Sequence, residues 1–306
     1  MGQLSNDSEE LLSWLAVEKG RAVNTLAAYR RDLIAYEEFL RGRGLAVGEV
    51  TERAVQDYVA FLRASGRAPA SVARAMVAVR SLHRFCLDEG RTDADPTGDV
   101  GAPSVPQGLP KALREDEVLM LLGAVVGEDA VARRDRAILE LLYGTGMRIS
   151  ELTGLSLPDL AMDEAVVRVF GKGSKERLVP AGRWAREALA AWLTPSGRGV
   201  MTPARWARRG DSEAVFLNRR GGRLSRQGAW GIVHRYGDKV GLGERLTPHV
   251  LRHSCATHML DHGADIRVVQ ELLGHASIAT TQVYTKVSPE RLRRVYETAH
   301  PRARGR

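Results

Sequence analysis

Four times in the first ninety residues an apolar stripe at helical spacing is closed by a glycine. Leu11, Leu12, Leu15 and Ala16 are followed by Gly20, and Leu26, Tyr29, Leu33, Tyr36 and Leu40 by Gly42 and Gly44. Ala54, Val55, Tyr58, Phe61 and Leu62 lead to Gly66, and Val72, Met76, Val79, Leu82 and Phe85 to Gly90. Apolar residues three and four apart share one helix face, and a glycine just past the last of them stops the helix. Asp7 or Ser8 can cap the first stripe, Thr51 the third, and Pro69 suits the first turn of the fourth. Each helix hides one face only, so the four are expected to pack as a compact bundle with short turns.

The stretch 91–110 (RTDADPTGDVGAPSVPQGLP) holds four of the 12 prolines and several glycines. It reads as an extended linker. Helical spacing resumes over 114–126 and 130–144. Residues 162–170 and 176–180 read as two strands of a hairpin joined by Gly171-Lys172-Gly173-Ser174-Lys175. Further helices are expected near 182–193, 225–240, 248–262, 265–273, 277–285 and 289–298. The reading is a mainly α protein: a helical domain over 1–92, a linker over 93–110, and an α+β domain over 111–306 with a small antiparallel sheet.

Charge divides the chain in the same place. Of 45 basic and 37 acidic residues, 1–107 carries 13 and 15, and 108–306 carries 32 and 22. The second part therefore has a net charge of +10 against −2 for the first, a bias toward polyanionic partners. Two cysteines, Cys86 and Cys255, do not make a disulfide framework and suit a reducing compartment. No apolar run reaches membrane-spanning length, and the polar, acidic N-terminus is unlike a secretory or mitochondrial signal, so a cytoplasmic protein is expected. Residues 195–213 look like an insertion without a clean period. Over 195–226 there are eight Arg against Asp211 and Glu213, which fits either a solvated surface loop or a DNA-contacting one.

Four strings can carry chemistry. In TGMRISEL, Arg148 follows a glycine turn at a helix start, where backbone amides and a guanidinium can face one anion. In FGKGSKERLVP, Lys172 sits between two glycines, on a turn from which it can donate a proton; the string lacks the Walker A spacing. In TPHVLRHS, His249 and Arg252 are three apart and share a helix face. In LLGHASIATTQVYT, His275 follows the glycine that ends a helix, and Tyr284 lies nine residues further on. Each string alone also has an ordinary structural explanation. His258 and His262 have an i,i+4 spacing that can bind zinc, but HMLDH lacks the Glu of the metalloprotease pattern, and helix packing accounts for both.

Together, and in this order, Arg148, Lys172, His249, Arg252, His275 and Tyr284 resemble the active site of the tyrosine recombinase family, and the likeness runs over nearly the whole chain, closest to the Xer branch. The resemblance implies that Tyr284 attacks a scissile phosphate, that Arg148 and Arg252 clamp its non-bridging oxygens, and that His249 takes the tyrosine proton. It implies that Lys172 protonates the leaving 5′-oxygen and that His275 hydrogen-bonds the phosphate. Neither ATP nor a metal cofactor is implied for strand exchange. The implied partners are a duplex recombination site, a second Xer-type recombinase in a homo- or hetero-tetramer, and a septal DNA translocase as activator, without a membrane. The two domains would clamp the duplex, and the tail over 289–298, with its stripe of Leu292, Val295 and Tyr296, would dock on a neighbouring subunit. Readings left beside this one are a mobile-element or plasmid integrase of the same family and a non-catalytic DNA-binding protein of the same fold.

Overall fold

The computed structural model describes residues 4–98, 100–101, 112–171, 176–274 and 288–303. The chain divides into two compact units, Met1–Gly108 and Leu109–Arg306.

The first unit is built from α1 (Asn6–Val17), α2 (Val23–Arg41), α3 (Glu52–Ala64) and α4 (Pro69–Asp88). The four stripes meet in one core, with Leu11, Leu33, Tyr36, Tyr58, Met76 and Leu82 fully buried. Thr51 caps α3 and Pro69 opens α4, as their positions suggest. The start of α1 differs. Ser5, not Asp7 or Ser8, is the cap, and Ser8 is buried one turn inside, donating to Glu37 Oε1 at 2.6 Å. Glu37 also accepts from the Ser5 amide and hydroxyl, so a buried carboxylate fixes where the helix begins. Several arginines of this unit have protein partners. Arg30 pairs with Glu9, Arg74 with the buried Asp32, and Arg84 with Asp88.

The second unit is organised around α6 (Ala130–Thr145), in which every residue from Ala137 to Thr145 is buried. Around it lie α5 (Glu115–Gly123), α7 (Ile149–Gly154), α8 (Arg183–Trp192), α9 (Arg226–Lys239), α10 (Pro248–Asp261), α11 (Ile266–Leu273) and α12 (Pro289–Ala299). The expected helix over 277–285 lies outside the described residues. The sheet has three antiparallel strands, β1 (Leu160–Ala161), β2 (Val166–Phe170) and β3 (Glu176–Pro180), with Val167 opposite Val179 and Phe170 opposite Glu176. Val167, Val169 and Val179 point into the core. The strand read over 162–170 is therefore two elements. Met162–Ala165 form a turn that reverses the chain, with Ala165 at φ +54° and the polar Asp163-Glu164 at its tip.

Two arginines of the basic segment hold it in place, Arg198 by closing the segment on itself and Arg223 by tying it to α7. Arg198 donates to the carbonyls of Ala214 (3.0 Å) and Ser212 (2.7 Å). Arg223 donates to those of Thr153, Gly154 and Leu155 and to Ser156 Oγ, closing the C-terminal end of α7. Helix C-termini leave carbonyls unpaired and carry partial negative charge, so a guanidinium is well suited there. Arg205, Arg208, Arg209, Arg219, Arg220 and Arg226 remain exposed.

The tail stripe is buried within its own unit. Leu292, Tyr296 and Ala299 pack with α10, α11 and β3. Tyr296 Oη donates to the Gly144 carbonyl at 2.7 Å and accepts from the Gly182 amide at 3.1 Å. Beyond the helix, Arg302 forms an ion pair with Glu140.

Candidate active site

Arg148 occupies the N-cap position of α7, two residues after Gly146 ends α6 in the left-handed region (φ +60°). The site grows from this junction of two helices. The Arg148 amide donates to Glu151 Oε2 at 2.7 Å, and its guanidinium reaches Glu151 Oε1 at 3.0 Å and the Gly274 carbonyl at 3.4 Å. Its side chain is 41 % exposed, which leaves part of the fork open to a ligand.

Arg252 arrives from the second turn of α10, a helix opened by Thr247 and Pro248. It is buried, and it donates to the Gly146 carbonyl at 2.7 Å and the Leu273 carbonyl at 2.6 Å. Burial and, next, the charge of Arg148 push its pKa down to about 10. His249, one turn earlier on α10, is exposed at the start of the helix.

Arg177 on β3 is the third cation. It grips Glu151 with two parallel bonds, 2.7 and 2.9 Å, and donates through Nε to the Leu272 carbonyl at 3.1 Å. The last three carbonyls at the end of α11, those of Leu272, Leu273 and Gly274, thus each receive one of three guanidiniums. These groups are unpaired by the helix itself and lie at its negative end. Burial alone would raise the Glu151 carboxyl, but the Arg177 bonds and the Arg148 amide outweigh it and hold it below the usual range. Three cations around one carboxylate leave a net positive locus, suited to an anion such as a phosphodiester.

Of the six residues singled out in the sequence, the structure brings Arg148 and Arg252 together and puts His249 at the exposed start of the Arg252 helix. Lys172, His275 and Tyr284 lie outside the described residues. Glu151 and Arg177 were not singled out as site residues. For Arg177 a signal was present: strand alternation points it inward beside Val179, where an unpaired charge is costly. His258, the zinc alternative, has both ring nitrogens engaged by protein, Nδ1 with Tyr143 Oη at 2.9 Å and Nε2 with the Leu113 carbonyl at 2.7 Å.

Residues 111–291 match the Phage integrase family, and residues 9–90 match the Phage integrase N-terminal SAM-like domain. The chain is 46 % identical over 301 residues to a protein of Bifidobacterium longum named Tyrosine recombinase XerD, covering 97 % of each. It is 47 % identical over 316 residues to the Mycobacterium tuberculosis protein of that name, covering 99 % of this chain and 100 % of the relative. Among solved structures it is similar to a lambda integrase tetramer bound to a Holliday junction, with a TM-score of 0.67 at 19 % identity, covering 92 % of this chain and 79 % of the other. The chain belongs to the tyrosine recombinase, or phage integrase, family. Within the family it is of the Xer branch and most like XerD: a site-specific recombinase that cleaves and rejoins DNA through a tyrosine. Among the described residues no helix is long and apolar enough to cross a membrane.

Proposed function

We propose that this recombinase resolves chromosome dimers at a dif-like site, in a tetramer with a second Xer-type subunit and under a septal DNA translocase. The observation that carries the reading is the convergence of Arg148 and Arg252 on the end of α11, in a chain that matches XerD-named relatives from end to end. The stretch 93–110 joins a domain over 1–92 to one over 111–306, and both domains bind the duplex.

Tyr284 Oη attacks the scissile phosphorus, and the bond from phosphorus to the 5′-oxygen breaks. The products are a 3′-phosphotyrosine and a 5′-hydroxyl. The tyrosine proton passes to His249, and Lys172 supplies a proton to the leaving oxygen. Arg148 and Arg252 hold the non-bridging oxygens as charge builds on them, with His275 as a further donor. The phosphoester bond energy is kept in the enzyme link, so the reverse attack by a 5′-hydroxyl of the partner strand rejoins DNA. Docking of α12 on a neighbouring subunit requires Leu292, Tyr296 and Ala299 to leave the seats they occupy in their own unit.

A duplex carrying a dif-like site and a nick beside the scissile bond tests the reading. Wild-type protein is expected to accumulate a covalent complex and Tyr284→Phe none. Equal trapping by the two proteins refutes the catalytic reading, and trapping that is indifferent to the site sequence refutes the dif-like specificity.

A further inference from the structure

Glu151 poses an electrostatic problem for a phosphate site. Its carboxylate is nearly fully buried, with 2 % of the side chain exposed, and it sits against Arg148, the guanidinium with the most open fork. A carboxylate there both repels an incoming phosphate and competes with it for Arg148. How Glu151 is neutralised therefore decides whether Arg148 is free to turn toward DNA.

The geometry answers through Arg177. Its two terminal nitrogens take both Glu151 oxygens, at 2.7 and 2.9 Å, whereas Arg148 has a single side-chain bond to the shared Oε1 at 3.0 Å. Arg177 cannot easily let go. Its side chain is 14 % exposed, and its Nε is tied to the Leu272 carbonyl. Its guanidinium and Cδ also lie where a side chain on residue 274 would be: a Cβ there would come 3.1 Å from Nη1 and 3.2 Å from Cδ and Cζ. Gly274 makes that approach possible. One arginine is thus locked on the carboxylate while the other touches it with half a fork.

We propose that Arg177 is a positioning residue for strand cleavage: it is the fixed counter-ion of Glu151, and by satisfying that carboxylate it reserves Arg148 for the scissile phosphate. Without Arg177, Glu151 closes on Arg148 with both oxygens, and the phosphate must break a bidentate pair to gain its clamp. The inference rests on the reading of Arg148 as a phosphate clamp.

Full-length protein is assayed by single-turnover cleavage of the nicked duplex at saturating enzyme, with DNA affinity measured separately. Arg177→Gln is expected to slow cleavage about tenfold or more while affinity changes by less than about threefold, since the missing interaction acts on the reacting phosphate. Removing the competing charge as well reverses the defect: Arg177→Gln with Glu151→Gln is expected to cleave several-fold faster than Arg177→Gln alone. A structural brace would show in stability too, since removing one member of a buried pair destabilises and removing both relieves it. Cleavage is therefore compared at a temperature where urea unfolding shows every variant fully folded, and a rate defect that disappears under that condition also overturns the proposal. Arg177→Lys, which keeps the charge but not the fork, falls between wild type and Arg177→Gln. A double variant no faster than Arg177→Gln, or Arg177→Gln cleaving like wild type, overturns the proposal. Arg148→Ala is the control. If it too cleaves like wild type the clamp reading itself fails, whereas a defect in Arg148→Ala with none in Arg177→Gln removes only this inference.

Discussion

Gly146→Ala is a single methyl placed at the junction that holds the site. Gly146 ends α6 with φ +60°, where a Cβ costs about 1–2 kcal/mol. The new carbon would also lie 2.7 Å from Leu273 Cδ2 and 3.1 Å from Cys255 Sγ, both on buried residues. Overpacking of that kind costs about 1–3 kcal/mol. The sum is about 2–5 kcal/mol. Gly263→Ala is the matched control in the same unit: its φ is +82°, but no heavy atom lies within 4 Å of the added carbon, so only the backbone cost of about 1–2 kcal/mol applies. Urea unfolding followed by tryptophan fluorescence separates the two, because four of the five tryptophans are in the second unit and Trp192 is fully buried. Gly146→Ala should be the less stable by about 1–3 kcal/mol. It should also cleave more slowly, because the Gly146 carbonyl anchors Arg252 and Arg148 follows two residues later. Two variants of equal stability within about 0.5 kcal/mol, with Gly146→Ala cleaving at the wild-type rate, would refute the packing argument.

Three other outcomes are expected. Lys172→Ala should slow cleavage of an ordinary substrate and be rescued by a 5′-thiol leaving group, which needs no proton; equal losses on both substrates remove the general-acid role. His300 is buried and neutral, its pKa pushed down to about 3 chiefly by burial, against about 6.5 in an unfolded chain. The unfolded state then binds the proton first, so His300 costs the second unit stability as pH falls from about 6.5 toward 3, by up to a few kcal/mol. His300→Asn should flatten the pH dependence of the urea midpoint in that window, and an unchanged slope contradicts the assignment. Reversing charge at Arg205, Arg208 and Arg209, all exposed, should weaken DNA binding and reduce its salt slope by up to about one for each of the three that neutralises a phosphate. Unchanged affinity and slope make the segment a solvated loop.

Most helices of both units were legible because they hide one apolar stripe and end at a glycine or begin at a cap, whereas α6 is buried on every side over Ala137–Thr145. Local chemistry of a kind that a neighbour overrides was harder to read. Ser8 resembles a cap, yet the α1 start is set by Glu37, 29 residues away. Met162 extends an apolar run, yet Asp163-Glu164 and the positive φ of Ala165 make a turn there and free Leu160 and Ala161 to add a third strand. The stripe on 289–298 was visible, but a stripe does not name its partner, and here it packs on α10, α11 and β3. The basic segment was visible as charge, but not that Arg198 and Arg223 would be committed to backbone carbonyls. In the site, residue type and order pointed to Arg148 and Arg252. The Glu151–Arg177 pair joins positions 26 apart across two elements, and no local pattern announces it.

Cleavage by this recombinase joins one tyrosine covalently to DNA. Peptide mapping by mass spectrometry of the complex trapped on the nicked duplex tests it directly. A 3′-phosphonucleotide is expected on the peptide containing Tyr284 and on no other, with a free 5′-hydroxyl on the released strand. An adduct on another residue, or a 5′-phosphate on the released strand, contradicts it.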